Sequence, residues 1–155
     1  MSQIRVDQGG AKVEKTNSDT VIAATDDVEF SVLIPTLAKR RLTMQKRLRI
    51  KGAKIPFSFF LKQFAAGVYY AVEPMLRMDS TIVIDNEYCG HENDVKSFLL
   101  GIIRRRFAEF KPEQISFGSV DKKTDAHKIC YEVFTGTRRP NRILAEEEIS
   151  RLFKE

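Results

Sequence analysis

The stretch Thr20-Val21-Ile22-Ala23-Ala24-Thr25-Asp26-Asp27-Val28-Glu29-Phe30-Ser31-Val32-Leu33-Ile34 decides how the rest of the chain is read. Its first six residues carry no charge, as expected of a strand covered on both faces. Asp26-Asp27 punctuates the run, Val28 to Ile34 resumes it with β-forming residues, and Pro35 stops it. Further on, Leu42, Met44, Leu48 and Ile50 alternate with basic residues, with Lys46 the exception on the apolar side. That alternation predicts a third strand, half-buried and cationic on its outer surface. In the other direction, residues 1–19 hold only Ile4, Val6 and Val13 as sizeable apolar groups, with Gly9-Gly10 between them. They read as a polar tail or a short edge strand ahead of one domain spanning 20–155.

Beyond the three strands the texture becomes helical. Pro56 opens a helix that is apolar nearly all round, from Phe57 to Val72, and must be buried on most sides. Pro74 ends or kinks it. Thr81-Ile82-Val83-Ile84 reads as a central parallel strand closed by Asp85. Val95, Phe98, Leu99, Ile102, Ile103 and Phe107 give one buried face of a second helix. Ile115-Ser116-Phe117 offers another strand. Thr124 or Asp125 caps a third helix built on Ala126, Ile129, Cys130, Val133 and Phe134. A short terminal helix uses Ile149, Leu152 and Phe153.

Three meandering strands followed by helix, strand, helix, strand, helix predict an α/β fold. Its five-stranded mixed sheet has parallel β-α-β units added to the meander and helices on both faces. Over residues 20–135 this order resembles the ribonuclease H-like superfamily, which includes ribonuclease H, integrases and Holliday-junction resolvases. The resemblance implies phosphodiester cleavage by two divalent cations, magnesium or manganese, held by acids of the first strand, the fourth strand and a late helix. Mapped onto this chain, those acids are Asp27, Asp85 and Asp125, with Glu87 as a further metal ligand and His127 or His91 as a proton shuttle or phosphate contact. Asp26 and Asp7 are the alternatives for the first position. Asp7 follows from Ile4-Arg5-Val6-Asp7-Gln8-Gly9-Gly10, which also has the look of a first catalytic strand. The carboxylate that many relatives carry early in the first helix has no counterpart, since only Glu73 lies on that helix.

Charge points the same way. The chain of 155 residues has 26 Lys and Arg against 21 acids, a net charge of +5. The excess is clustered: Lys39 to Lys54 contains eight basic residues and no acid, Arg104-Arg105-Arg106 forms a second run, and Arg138, Arg139 and Arg142 a third. Clustered cations attract phosphate backbones by counterion release, and Lys46, Arg47, Arg49, Lys51, Arg104 and Arg105 are the candidate nucleic-acid contacts. The ordinary alternative for such runs is a solvated surface.

The two Cys and two His pair up as Cys89-Gly90-His91 and His127-Lys128-Ile129-Cys130, a donor set that suits a tetrahedral zinc ion if the two segments meet. Against this, Cys130 lies on an apolar helix face where an inert thiol is the usual occupant. The polar start of the chain, two cysteines and an apolar stretch broken by Lys62, Gln63 and Glu73 predict a cytoplasmic protein without a membrane span. Three functions follow from these readings. They are a metal-dependent nuclease, a nucleic-acid-binding domain without catalysis, and an interaction domain for another protein or a second copy of the chain, as in a homodimer.

Overall fold

The computed structural model describes residues 3–118 and 125–153. Its strands are β1 (Gln3–Gly10), β2 (Thr20–Thr25), β3 (Glu29–Ile34), β4 (Thr81–Asp85), β5 (Ile115–Gly118) and β6 (Arg142–Ile143). Its α-helices are α1 (Thr36–Arg49), α2 (Ser58–Val72), α3 (Glu92–Ile103), α4 (Asp125–Thr135) and α5 (Glu146–Arg151). The six strands form one sheet in the order β5-β4-β1-β2-β3-β6. β1 to β3 are an antiparallel meander, while β4 and β5 extend it in parallel from the β1 side and β6 pairs parallel with β3. This mixed sheet with helices on both faces is consistent with the ribonuclease H-like fold class.

The strand β2 shows why the deciding stretch reads as it does. Ile22 and Ala24 join the large core beneath α2, whereas Val21 and Ala23 join a second cluster with Ile129, Cys130 and Val133 of α4. Both faces are covered, so every residue of β2 is buried and the run contains no polar alternation.

Two expectations are corrected. The meander begins one strand earlier than the sequence suggests, because β1 lies in the middle of the sheet between β4 and β2 rather than in a tail or at an edge. Its pattern conceals this: Ile4 and Val6 are fully buried in the large core, but on the other face Gln3 and Arg5 remain exposed and only Asp7 and Gly9 lie under α4. The cationic strand over 42–50 is instead the second half of α1. Leu42 is buried, but Met44 and Leu48 are 63% and 74% exposed, so the alternation has no buried counterpart. The segment is rich in Leu, Met, Gln, Lys and Arg, which lose little side-chain freedom in a helix, and poor in β-branched residues. Ala38, Lys39, Leu42 and Thr43 form the helix face that is buried. Lys39 has no exposed surface, and its ammonium donates to the Lys15 carbonyl at 2.6 Å and to Thr20 Oγ1 at 2.9 Å. It thus ties the β1–β2 connection to α1, and burial pushes its pKa down to about 8.

Candidate active site

Strand parity assembles the acids. Arg5 pairs with Val83 and Val6 with Ile84 in the parallel β1–β4 ladder. Two residues past Arg5 and Val83, Asp7 and Asp85 therefore share one face, the face opposite the buried Ile4, Val6, Ile82 and Ile84. Beyond β4 the chain turns back at once, with the Glu87 N–H donating to the Asp85 carbonyl at 3.0 Å. One carboxylate oxygen from each of Asp7, Asp85 and Glu87 lies within 4.8 Å of the others. Such a set of hard oxygen donors can hold a divalent cation, and oxygen ligands favour magnesium or manganese over zinc.

Asp7 is held from two sides and is only 3% exposed. Its Oδ1 accepts from the Gln8 N–H at 2.8 Å, and its Oδ2 lies 2.9 Å from His127 Nδ1 in the first turn of α4. Burial raises its pKa above the ordinary carboxylate value, with the charge of Asp85 adding to the rise, while the His127 and Gln8 contacts oppose it. Glu87 is pushed further, to about 7, first by burial and then by its hydrogen bond and charge repulsion with Asp85. Acids crowded in this way resist full ionisation until a cation neutralises them.

The approach of α4 depends on Gly9. A Cβ on that residue would lie 2.7 Å from Cys130 Cβ, and one on Gly10 would lie 2.6 Å from the Phe134 ring. Without side chains there, α4 settles onto β1 and β2 and brings His127 to Asp7. Cys130 Sγ then donates to the Asp7 carbonyl at 3.3 Å, and burial raises its thiol pKa. On the other side of the sheet Tyr88 braces the site. Its hydroxyl accepts from the Val13 N–H at 3.0 Å and donates to Gln8 Oε1 at 3.2 Å, and its ring packs 4.7 Å from Phe64. Lys12 Nζ stands 5.6 Å over the Tyr88 ring, and its charge acts on Glu87 to lower its pKa.

Of the candidate ligands, Asp85 and Glu87 stand together, joined by Asp7 rather than by Asp26 or Asp27. Asp27 is exposed in the β2–β3 turn, beside the segment Pro74 to Arg77. This turn follows Thr25, which pairs with Arg5 before Asp7 is reached along β1. Asp125 is an exposed residue at the start of α4 and is outside the three-acid group. His127, two residues later, does reach the site. The zinc quartet does not assemble among the described residues. Cys89 is exposed with its Sγ 3.8 Å from the Asn86 carbonyl, the His91 ring packs 4.8 Å from Phe57, and Cys130 is buried against β1.

The basic candidates divide into two groups. Arg47, Arg49 and Lys51 are exposed on or just after α1, and Lys46 is half-buried with its ammonium 5.8 Å over the Phe59 ring. Arg104 and Arg105 brace the fold instead, donating to the carbonyls of Phe110 at 2.9 Å and Leu152 at 2.6 Å. Among the described residues no helix is long and apolar enough to cross a membrane. No protein-family model, curated protein or solved structure matches the chain.

Proposed function

We propose that this protein is a ribonuclease H-like, divalent-metal-dependent nuclease acting on nucleic acid in the cytoplasm. The observation that carries the reading is the convergence of Asp7 within β1, Asp85 at the end of the adjacent parallel β4 and Glu87 just beyond it, with His127 on Asp7. These three carboxylates would hold magnesium or manganese, which in such sites polarises the scissile phosphate and activates a water. The chain's own residues supply the rest. His127 fixes the orientation of Asp7, and Lys12 offers a cation to a phosphate beside the site. Asp125, exposed two residues before His127 at the start of α4, would be a candidate further ligand.

The test is cleavage of labelled single-stranded, duplex, hybrid and branched nucleic acids with and without Mg2+ or Mn2+. Metal-dependent cutting that falls at least about a hundredfold in Asp85→Asn, with an unchanged circular dichroism spectrum, supports the reading. Undiminished cutting by Asp85→Asn, or no cutting of any of these substrates, contradicts it.

One observation favours a second reading, a nucleic-acid-binding domain without catalysis. The exposed cations of α1 form a binding surface that needs no metal. On that reading affinity is salt-sensitive and indifferent to chelator.

A further inference from the structure

The face of the sheet that carries Asp7 and Asp85 is covered at one end only. Among the described residues α4 is the single helix packed on it, resting on β1, β2 and β3, whereas α2 and α3 lie on the opposite, core face. From His127 beside Asp7, α4 runs over Gly9 with Cys130 and over Gly10 with Phe134, away from Arg5. The strand ladders fix what lies in the other direction. Thr25, Arg5, Val83 and Ser116 pair in turn across β2, β1, β4 and β5. They form a row beside the one that holds Asp7 and Asp85, offset from it by two strand residues, about 6.7 Å. Arg5 and Ser116 are exposed and Val83 is half-buried.

Arg5 is the feature of this row that packing does not account for. β1 is a central strand, yet it projects a guanidinium into solvent with no ion pair to a described acid. Its neighbours in the row are uncharged, so nothing there offsets its charge. Beyond the acids in the opposite direction Lys12 is exposed, and its charge acts on Glu87. Two cations thus flank the three carboxylates along the line of β1. A group of acids repels phosphates, and cations on either side of it are what allows a polyanion to lie across it. The offset between the two rows is close to the step between successive phosphates of a nucleic-acid strand.

We propose that Arg5 and the uncovered row around it form a phosphate-binding site, and that a nucleic-acid backbone crosses the acids along β1. Arg5 grips a phosphate on one side of them, through the paired N–H groups of its guanidinium, and Lys12 holds a phosphate on the other. This rests on the reading of Asp7, Asp85 and Glu87 as a site that faces nucleic acid, and it adds the line along which the strand lies.

The experiment is fluorescence anisotropy of the full chain with labelled single-stranded and duplex oligonucleotides, in Ca2+ and over a series of salt concentrations. Cleavage of the same oligonucleotides in Mn2+ is scored in parallel. Arg5→Gln is expected to weaken binding about fivefold or more and to lower the salt slope by roughly one phosphate contact. Arg5→Lys keeps the slope because it keeps the charge, and Arg5→Gln combined with Lys12→Gln lowers it by roughly two contacts. Arg5 is exposed and glutamine preserves much of its stem, so the fold survives, which a thermal melt verifies. A shallower slope reports a lost phosphate contact, which an arginine with a merely structural role would not give. The proposal is overturned if no oligonucleotide binds, if Arg5→Gln keeps the wild-type affinity and slope, or if Arg5→Lys loses as much as Arg5→Gln. The two readings fail separately. Arg5-dependent binding without any cutting leaves this site standing and removes the nuclease, whereas cutting and binding untouched by Arg5→Gln remove this site alone.

Discussion

Asp7 and Glu87 carry the electrostatic character of the site. Burial and mutual repulsion raise the pKa of both acids, so the metal-free native state holds protons that the unfolded chain has already lost. Glu87 contributes its full share of stability below its ordinary value of 4.5, and that share is lost as pH rises through about 7. Melting temperature in excess chelator is therefore expected to fall between pH 5 and 8. Glu87→Gln should flatten that slope, and Mn2+ should restore the wild-type melting temperature at pH 8 while doing less for the variant. A chelated wild type whose melting temperature rises over the same interval contradicts the assignment. At this scale the sequence was partly legible. Asp85 and Glu87 stand out because a short apolar strand ends on one and turns at the other. Asp7 is one of three candidates for the first acid, and the charge-free stretch Val21 to Ala24 draws attention instead to Asp27.

Elements explain why. A central strand whose outer face is half exposed and half covered by a helix has no clean period, and β1 is such a strand. Gly9 and Gly10 look like a break in the sequence, yet they are the surface on which α4 rests. Gly9→Ala places a methyl 2.7 Å from Cys130 Cβ, and the expected cost is about 1–3 kcal/mol in urea denaturation. Cys130→Ser does not relieve it, because the collision is with Cβ rather than Sγ. Stability equal to wild type in Gly9→Ala would show that α4 does not bear on β1 as described. In α1, a helix whose outer face carries Met44 and Leu48 among arginines imitates a half-buried strand when only alternate residues are counted. Its true buried face, Ala38, Lys39, Leu42 and Thr43, contains a lysine and so escapes an apolar count. If α1 tracks a phosphate backbone, Arg47→Ala and Arg49→Ala each lower the salt dependence of nucleic-acid binding by roughly one phosphate contact. Arg104→Ala should instead destabilise the fold, since its guanidinium braces the Phe110 carbonyl. A salt slope unchanged by both α1 substitutions removes that helix from the interface.

For the whole molecule, the mixed sheet was legible because its arrangement depends on element order more than on any boundary. β4, β5, α2 and α4 fall where their periodicity puts them, α3 does so up to its end at Ile103, short of Phe107, and the parallel connections follow from the helices between the strands. Replacing the first strand by the second and a helix by the third left the class intact while moving one corner of the site. β6 was not visible, because two residues pairing with β3 make too short a segment for any pattern. The convergence of Asp7 with Asp85 and Glu87 depends on the β1–β4 register, which links residues nearly eighty positions apart and leaves no local trace.

Titration of the full chain with Mn2+ by calorimetry near pH 6, in two buffers of different ionisation enthalpy, tests the central claim most directly. The account predicts saturable binding with proton release, since Glu87 must surrender its proton to coordinate, and loss of that binding in Asp7→Asn. Mn2+ binding that is absent, or that survives Asp7→Asn with its affinity and proton release unchanged, would contradict it.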